Sequence, residues 1–155
     1  MPEIFVTGAP GWLGTRFVEL VSKGEAPGQK KNYRLRCLVY PGLPEEELKK
    51  FGASIVHGGV TQPESLRGAM KGCEAAVHMA GIIHPKNVRE FYELNYRGTQ
   101  NILNEALAAG VRKIIFISSN SPAGFSLPGR PFTEEANTWR KTKFLKPPGK
   151  AASRA

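Results

Sequence analysis

The chain has 155 residues, 22 Lys plus Arg, 13 acidic residues and a formal net charge of +9, with 41 % of its residues hydrophobic. This length and composition fit one domain with a buried core and exclude wholesale disorder. All 13 acids are Glu, which excludes aspartate-based triads, aspartate metal clusters and Asp-rich calcium loops.

Taken in chain order, short apolar runs alternate with longer amphipathic ones. Glu3–Thr7 reads as a buried strand, followed by a glycine-rich turn and a helix from about Trp12 to Lys23. Arg34–Tyr40 is the second strand, and Pro44–Phe51 a short helix whose proline suits a first turn, where its missing N–H is not needed. Ser54–His57 is the third strand; Thr61 can cap a helix that opens at Pro63 and runs to about Lys71. Ala75–Met79 is the fourth strand. Val88–Ala109 is the longest helix, ended by Gly110, and Lys113–Ser118 is the fifth strand. Strands without polar alternation are expected where both faces are covered. Strand–helix alternation predicts an α/β fold with a doubly wound parallel sheet of about five strands joined by right-handed crossovers. Beyond Ser121 the pattern stops, and the fold reads as cut after strand five. The expected organisation is a folded domain over 1–121 and an irregular basic tail over 122–155.

The charge is unevenly placed: residues 1–129 carry +4 and residues 130–155 carry +5. The tail has Trp139 and Phe144 among basic residues, but no nucleic-acid motif accompanies them, so nucleic acid is disfavoured as a partner. Cys37 and Cys73 match no metal or redox spacing, and their scarcity fits a reducing, cytoplasmic setting. No apolar run approaches the ~18 residues that a membrane span needs, and no secretory leader is expected.

The most informative stretch is Thr7-Gly8-Ala9-Pro10-Gly11-Trp12-Leu13-Gly14. Three glycines follow a buried strand and open a helix. Such a turn needs backbone freedom at its first glycine, no side chain where a pyrophosphate approaches, and close helix–strand contact at its last. The helix N-terminus then offers free N–H groups and a positive dipole to an anion.

In the long helix, Val88, Phe91, Asn95, Thr99, Ile102 and Ala106 recur at steps of three and four, a stripe expected to face the sheet. Asn95 is the polar member of that stripe, and a buried amide needs partners.

The G-x-x-G-x-x-G spacing after Thr7 resembles the short-chain dehydrogenase/reductase superfamily, in particular its extended branch, the NAD-dependent epimerase/dehydratase family. His78-Met79-Ala80-Gly81 is similar to that family's H-x-A-[AG] segment, Asn95–Asn101 to its N-x-x-G-T-x-N, and Ile117–Ser121 to its S-[ST] strand end. The resemblance implies a Rossmann-type fold, with strand order 3-2-1-4-5, and an NAD or NADP cofactor. It places cofactor contacts at Thr7, Gly8, Pro10, Gly11, Trp12, Leu13, Gly14, Tyr40, Gly59, Val60, Met79, Ala80 and Gly81. It also implies hydride transfer on nucleotide sugars or similar hydroxyl substrates, with the substrate part absent here. Ser119 matches the Ser/Thr that holds the substrate oxygen, and Asn95 the residue that helps hold the helix and a water beside the catalytic lysine.

The sequence departs from the family in three places. All four tyrosines precede Ser119, so no Tyr-x-x-x-Lys follows it. The nearest match, Trp139–Leu145, puts Trp139 at the tyrosine and Lys143 at the lysine, and an indole cannot exchange a proton as a phenol does. The acid that reads the ribose is replaced by Tyr40, and Gly59 stands where the family has an adenine-contacting Asp. Arg16, Arg34 and Arg36 lean the choice slightly toward a 2′-phosphate. The chain is expected to bind nucleotide without turnover; a non-catalytic nucleotide sensor or partner-binding module, homodimeric through an exposed strand edge, is the alternative.

Overall fold

The computed structural model of the chain describes residues 1–119, and Met1–Ile117 form one compact unit. Its sheet has five parallel strands in the order β3-β2-β1-β4-β5: β1 Glu3–Thr7, β2 Arg34–Val39, β3 Ser54–His57, β4 Ala75–His78 and β5 Lys113–Phe116. The expected strand order is therefore the observed one.

Side chains alternate through this sheet into two separate cores. Ile4, Val6, Leu35, Cys37 and Val39 pack on one face against helix α1 (Trp12–Lys23) and α2 (Glu46–Lys50), through Val18, Val21 and Leu48. Phe5, Leu38 and Ala76 pack on the other face against α3 (Pro63–Leu66) and the last segment of the long helix, through Leu66, Ile102 and Ala106. Cys37 and Cys73 are free, buried and in different cores. Burial alone pushes the Cys37 thiol up to about 12, so it is chemically quiet.

Two local expectations change at α3. Thr61 does not cap α3: the helix opens after Gln62 without a side-chain cap. Ser65 instead ties the turn, its Oγ donating to the Gln62 carbonyl at 2.7 Å and accepting from the Gly59 N–H at 3.1 Å. The helix also stops at Leu66 rather than near Lys71, because Arg67 leaves helical geometry and Gly68 and Gly72 both take positive φ.

The long helix is continuous but not uniform. It comprises α4 (Val88–Phe91), a π-helical segment over Tyr92–Arg97, and α5 (Gly98–Ala108). The wider π turn breaks the 3.6-residue step. Asn95, Thr99, Ile102 and Ala106 face inward, whereas Val88 and Phe91, expected on the same stripe, are 83 % and 40 % exposed. Asn87 opens this helix: its side chain accepts from the Glu90 N–H at 2.9 Å, while the Glu90 carboxylate accepts from the Lys86 N–H at 2.7 Å. That reciprocal cap was legible as Asn-x-x-Glu but was not expected above. Gly110, at φ +70°, ends the helix as expected. Among the described residues no helix is long and apolar enough to cross a membrane.

Candidate functional site

The C-terminal ends of β1, β2, β3 and β4 converge on the glycine-rich turn. Gly8 sits at φ +87°, and a Cβ there would lie 2.6 Å from the Met79 carbonyl carbon and 2.7 Å from the Ala80 nitrogen. The ends of β1 and β4 touch backbone to backbone at this point. At Gly14 a Cβ would lie 2.5 Å from the Gly8 oxygen and 2.7 Å from the Ala9 nitrogen, so α1 rests directly on the turn. The Gly11 N–H donates to the Gly8 carbonyl at 2.9 Å, and the Ala9–Pro10 peptide is cis. Gly11 serves as an extended N-cap with no side-chain hydrogen bond, and no acid stands in the first turn of α1. The N–H groups of Trp12, Leu13 and Gly14 are thus left without a capping side chain, as an anion-binding helix end requires. Trp12 and Leu13 are both exposed beside it.

Under the turn runs a buried chain of hydrogen bonds. The Ala80 N–H donates to Thr7 Oγ1 at 3.2 Å, Thr7 Oγ1 meets His78 Nδ1 at 2.6 Å, and His78 Nε2 meets Thr99 Oγ1 at 3.0 Å. Thr99 Oγ1 donates its own hydrogen to the Asn95 carbonyl at 2.7 Å. Counting hydrogens fixes the imidazole: Thr99 can only accept from it, so the proton is on Nε2, and Nδ1 accepts the Thr7 hydroxyl. Burial holds the ring's pKa down at about 4, which keeps it neutral at pH 7. His78 also stacks on Phe116 of β5, with ring centroids 5.6 Å apart.

The Asn95–Asn101 motif acts as a clamp across the strand ends. The Asn95 side chain meets both backbone groups of Ile82, Oδ1 accepting from its N–H and Nδ2 donating to its carbonyl, each at 2.8 Å. Gly98 gives room to Val60, whose Cγ2 would lie 2.7 Å from a Cβ there. Asn101 Nδ2 donates to the Val60 carbonyl at 2.9 Å. One helix thereby secures the segments after β3 and β4, placing Val60 and Met79–Gly81 around the turn. This clamping role was not read from the sequence, because the partners lie 13 to 41 residues away.

Tyr40 and Gly59 follow β2 and β3 at the same end of the sheet as the turn. The registers Thr7↔Leu38 and Val39↔His57 set Tyr40 just past β2, between the phosphate turn and the end of β3. A Cβ at Gly59 would lie 3.1 Å from Tyr40 Cδ2 and 3.2 Å from its Cε2, so the ring rests over the glycine. The arginines do not join this group. Arg34 pairs with Glu3 at the opposite, N-terminal edge of the sheet. Arg36 there binds the Glu3 carboxylate at 2.6 Å and the carbonyls of Ala69 and Lys71 at 2.8 and 3.0 Å. Arg16 is paired with Glu19. The lean toward a 2′-phosphate read from these three residues therefore has no geometric support.

Ser119 is the last described residue, exposed and three positions beyond β5. Trp139 and Lys143 lie outside the described residues. The structure brings together Thr7, Gly8, Gly14, Met79 and Ala80, and separately Tyr40 with Gly59 and Asn95 with Ile82 and Gly81.

The model of the 3-beta hydroxysteroid dehydrogenase/isomerase family matches residues 5–148, which includes the Trp139–Leu145 stretch. The chain is 42 % identical over 141 residues to the uncharacterized protein y4nL of Sinorhizobium fredii, covering 87 % of this chain and 40 % of that protein. It is 30 % identical to the sterol-4-alpha-carboxylate 3-dehydrogenase (decarboxylating) of Dictyostelium discoideum, over 77 % of this chain and 36 % of the relative. Among solved structures, the dTDP-glucose 4,6-dehydratase DesIV of Streptomyces venezuelae, with NAD and TYD bound, superposes with a TM-score of 0.76 at 26 % identity. That match covers 86 % of this chain and 44 % of DesIV. The chain spans about two fifths of the length of these proteins. With this parallel sheet, this glycine turn and a family match over most of its length, the chain belongs to the 3-beta hydroxysteroid dehydrogenase/isomerase family of extended short-chain dehydrogenases/reductases.

Proposed function

We propose that this chain is the dinucleotide-binding part, over 1–121, of an oxidoreductase acting on a hydroxyl-bearing substrate, with NAD or NADP as the hydride carrier. The observation that supports it is the glycine turn. Its crowded glycines hold β1, β4 and α1 within backbone contact, and its helix end lacks any side chain that would compete with an anion. Gly8, Pro10, Gly11, Trp12 and Leu13 would hold the pyrophosphate; Tyr40, Gly59 and Val60 the adenosine half; and Met79, Ala80 and Gly81 the path toward the nicotinamide. Bound there, the dinucleotide supplies the hydride acceptor.

The chain's own residues then bind and orient. Thr7, His78, Thr99 and Asn95 fix the strand ends against the long helix. Ser119 would hold a substrate oxygen and Lys143 would stand at the lysine position. The phenol that would exchange the proton is not among the residues that follow Ser119, so these residues bind cofactor without turning over substrate. The names of the family and of the Dictyostelium relative put a sterol-type hydroxyl ahead of the nucleotide sugar as the substrate class, and the setting is cytoplasmic.

Calorimetric titration with NAD(H) and NADP(H), with Gly11→Asp as the control, tests this reading. Binding by the native chain and its loss in the variant are expected. No binding at millimolar cofactor by a folded sample refutes it.

A second reading, a non-catalytic partner-binding module, is favoured by one observation: on the outer strand β5 and just beyond it, Ile115, Phe116 and Ile117 are each about half exposed. It requires a dimer or larger species in size-exclusion chromatography with light scattering; a monomer that binds cofactor counts against it.

A further inference from the structure

Tyr40 and Gly59 fit each other: Tyr40 stands where a dinucleotide site of this plan carries its charged reader of the adenosine ribose, and Gly59 beside it where the acid that contacts adenine would be. An acid at the Tyr40 position bonds the 2′-hydroxyl of NAD, and an arginine there takes the 2′-phosphate of NADP. Here the strand-end loops are Tyr40-Pro41-Gly42-Leu43-Pro44-Glu45 and Gly58-Gly59-Val60-Thr61-Gln62, which contain no arginine or lysine and a single acid. That acid, Glu45, is engaged: its carboxylate meets Lys49 Nζ and His57 Nε2, each at 2.6 Å. These two hydrogen bonds, Lys49 first, hold its pKa below the usual carboxylate range. Arg34 stands opposite Glu3 at the other end of the sheet, Arg36 is bound there to the Glu3 carboxylate, and Arg16 is paired with Glu19.

The half-exposed Tyr40 ring lies over Gly59, and Gly59 is itself held by Ser65 and Gln62. A side chain added at position 59 would meet that ring and the Gln62 side chain at about 3.1 Å, and both would have to give way by a few tenths of an ångström. The glycine is therefore the complement of the tyrosine rather than a simple loss of an acid. What the pair offers a ligand is a flat, uncharged aromatic surface beside the phosphate turn. Stacking on such a surface is blind to the ribose substituent, and a site without a polar reader discriminates weakly.

Resting on the dinucleotide reading above, we infer that Tyr40 and Gly59 form a neutral stacking shelf that makes this site accept both NAD and NADP, with affinity set by the adenine rather than by the 2′ group. The shelf also takes other adenine nucleotides with a pyrophosphate, such as ADP.

The test is calorimetry of NAD⁺, NADP⁺ and ADP with the native chain, Tyr40→Ala, Tyr40→Phe and Tyr40→Asp, each shown to be folded by circular dichroism. For the native chain the NAD⁺ and NADP⁺ affinities are expected within about tenfold of each other. Tyr40→Ala should weaken all three ligands by a similar factor, about tenfold, through loss of the stack. Tyr40→Phe should restore them, since the hydroxyl is not the reader. Tyr40→Asp should shift the ratio toward NAD⁺ by at least about tenfold, through repulsion of the 2′-phosphate. A native preference beyond about a hundredfold in either direction, or unchanged affinities in Tyr40→Ala, overturns the shelf while leaving the dinucleotide site standing. Absence of binding for all three ligands removes the site and the shelf together.

Discussion

His78 is buried, neutral and hydrogen-bonded at both ring nitrogens, which gives stability a specific pH dependence. Charging the ring would put a proton on Nδ1, against a Thr7 hydroxyl that already accepts from Ala80 and donates to that nitrogen. The folded-state pKa of about 4 lies below the unfolded value of 6.5. Between these two values the unfolded chain binds the proton and the folded chain does not. The contribution is therefore complete above the upper value, falls as the pH drops through the window, and is gone below the lower one. Integrating gives a loss of about 2 kcal/mol between pH 7 and 5, and about 3 kcal/mol by pH 4. In His78→Asn the amide oxygen can still accept from Thr7, but the bond to Thr99 and the ring's packing on Phe116 go. That should cost about 2 kcal/mol at neutral pH. Urea unfolding of both proteins by far-ultraviolet circular dichroism, at pH 7, 6, 5 and 4, should show the native chain ahead at pH 7 and the two converging near pH 5. Carboxylates such as Glu19 and Glu45, paired away from His78, titrate in both proteins and drop out of the difference. Parallel curves, or an imidazole that titrates near its ordinary value in the folded chain by NMR, would show the hydrogen-bond chain to be wrongly drawn.

Two glycines separate crowding from backbone conformation. Gly14→Ala drives a Cβ into the backbone of Gly8 and Ala9 and should lower stability by about 3 kcal/mol, with cofactor binding lost. Gly110→Ala meets open space and carries only the positive-φ penalty, about 1 kcal/mol, with binding retained. Thermal melts followed by titration check both; equal losses would refute the distinction. Arg36→Leu removes three hydrogen bonds at the N-terminal edge, two of them to carbonyls, and should cost about 2–3 kcal/mol. It should leave the ratio of NAD to NADP affinity unchanged. A shift in that ratio would return Arg36 to the site from which the fold removes it.

The sequence by itself carried the plan of the molecule. Buried runs such as Glu3–Thr7 and Ala75–His78 alternate with amphipathic segments, and that alternation leaves few arrangements other than a covered parallel sheet. It also carried the phosphate turn, because glycine spacing between a strand and a helix is a local requirement of the backbone. Relations between residues distant in the chain were decided only by the tertiary structure. Arg36 lies on β2 and Tyr40 four residues on, just past its end, yet the Arg36 side chain is tied to Glu3 at the end of the sheet away from the turn whereas Tyr40 stands at the end beside it. Gly59 reads in the sequence as a missing acid and in the fold as the seat of an aromatic ring. Asn95 reads as a buried amide in need of partners, and the fold supplies the backbone of Ile82 through a π-helical turn that no residue spacing announces. Local patterns report what each segment must bury; which segments then meet depends on sheet register and on one widened helical turn, and these are settled only when the whole chain packs.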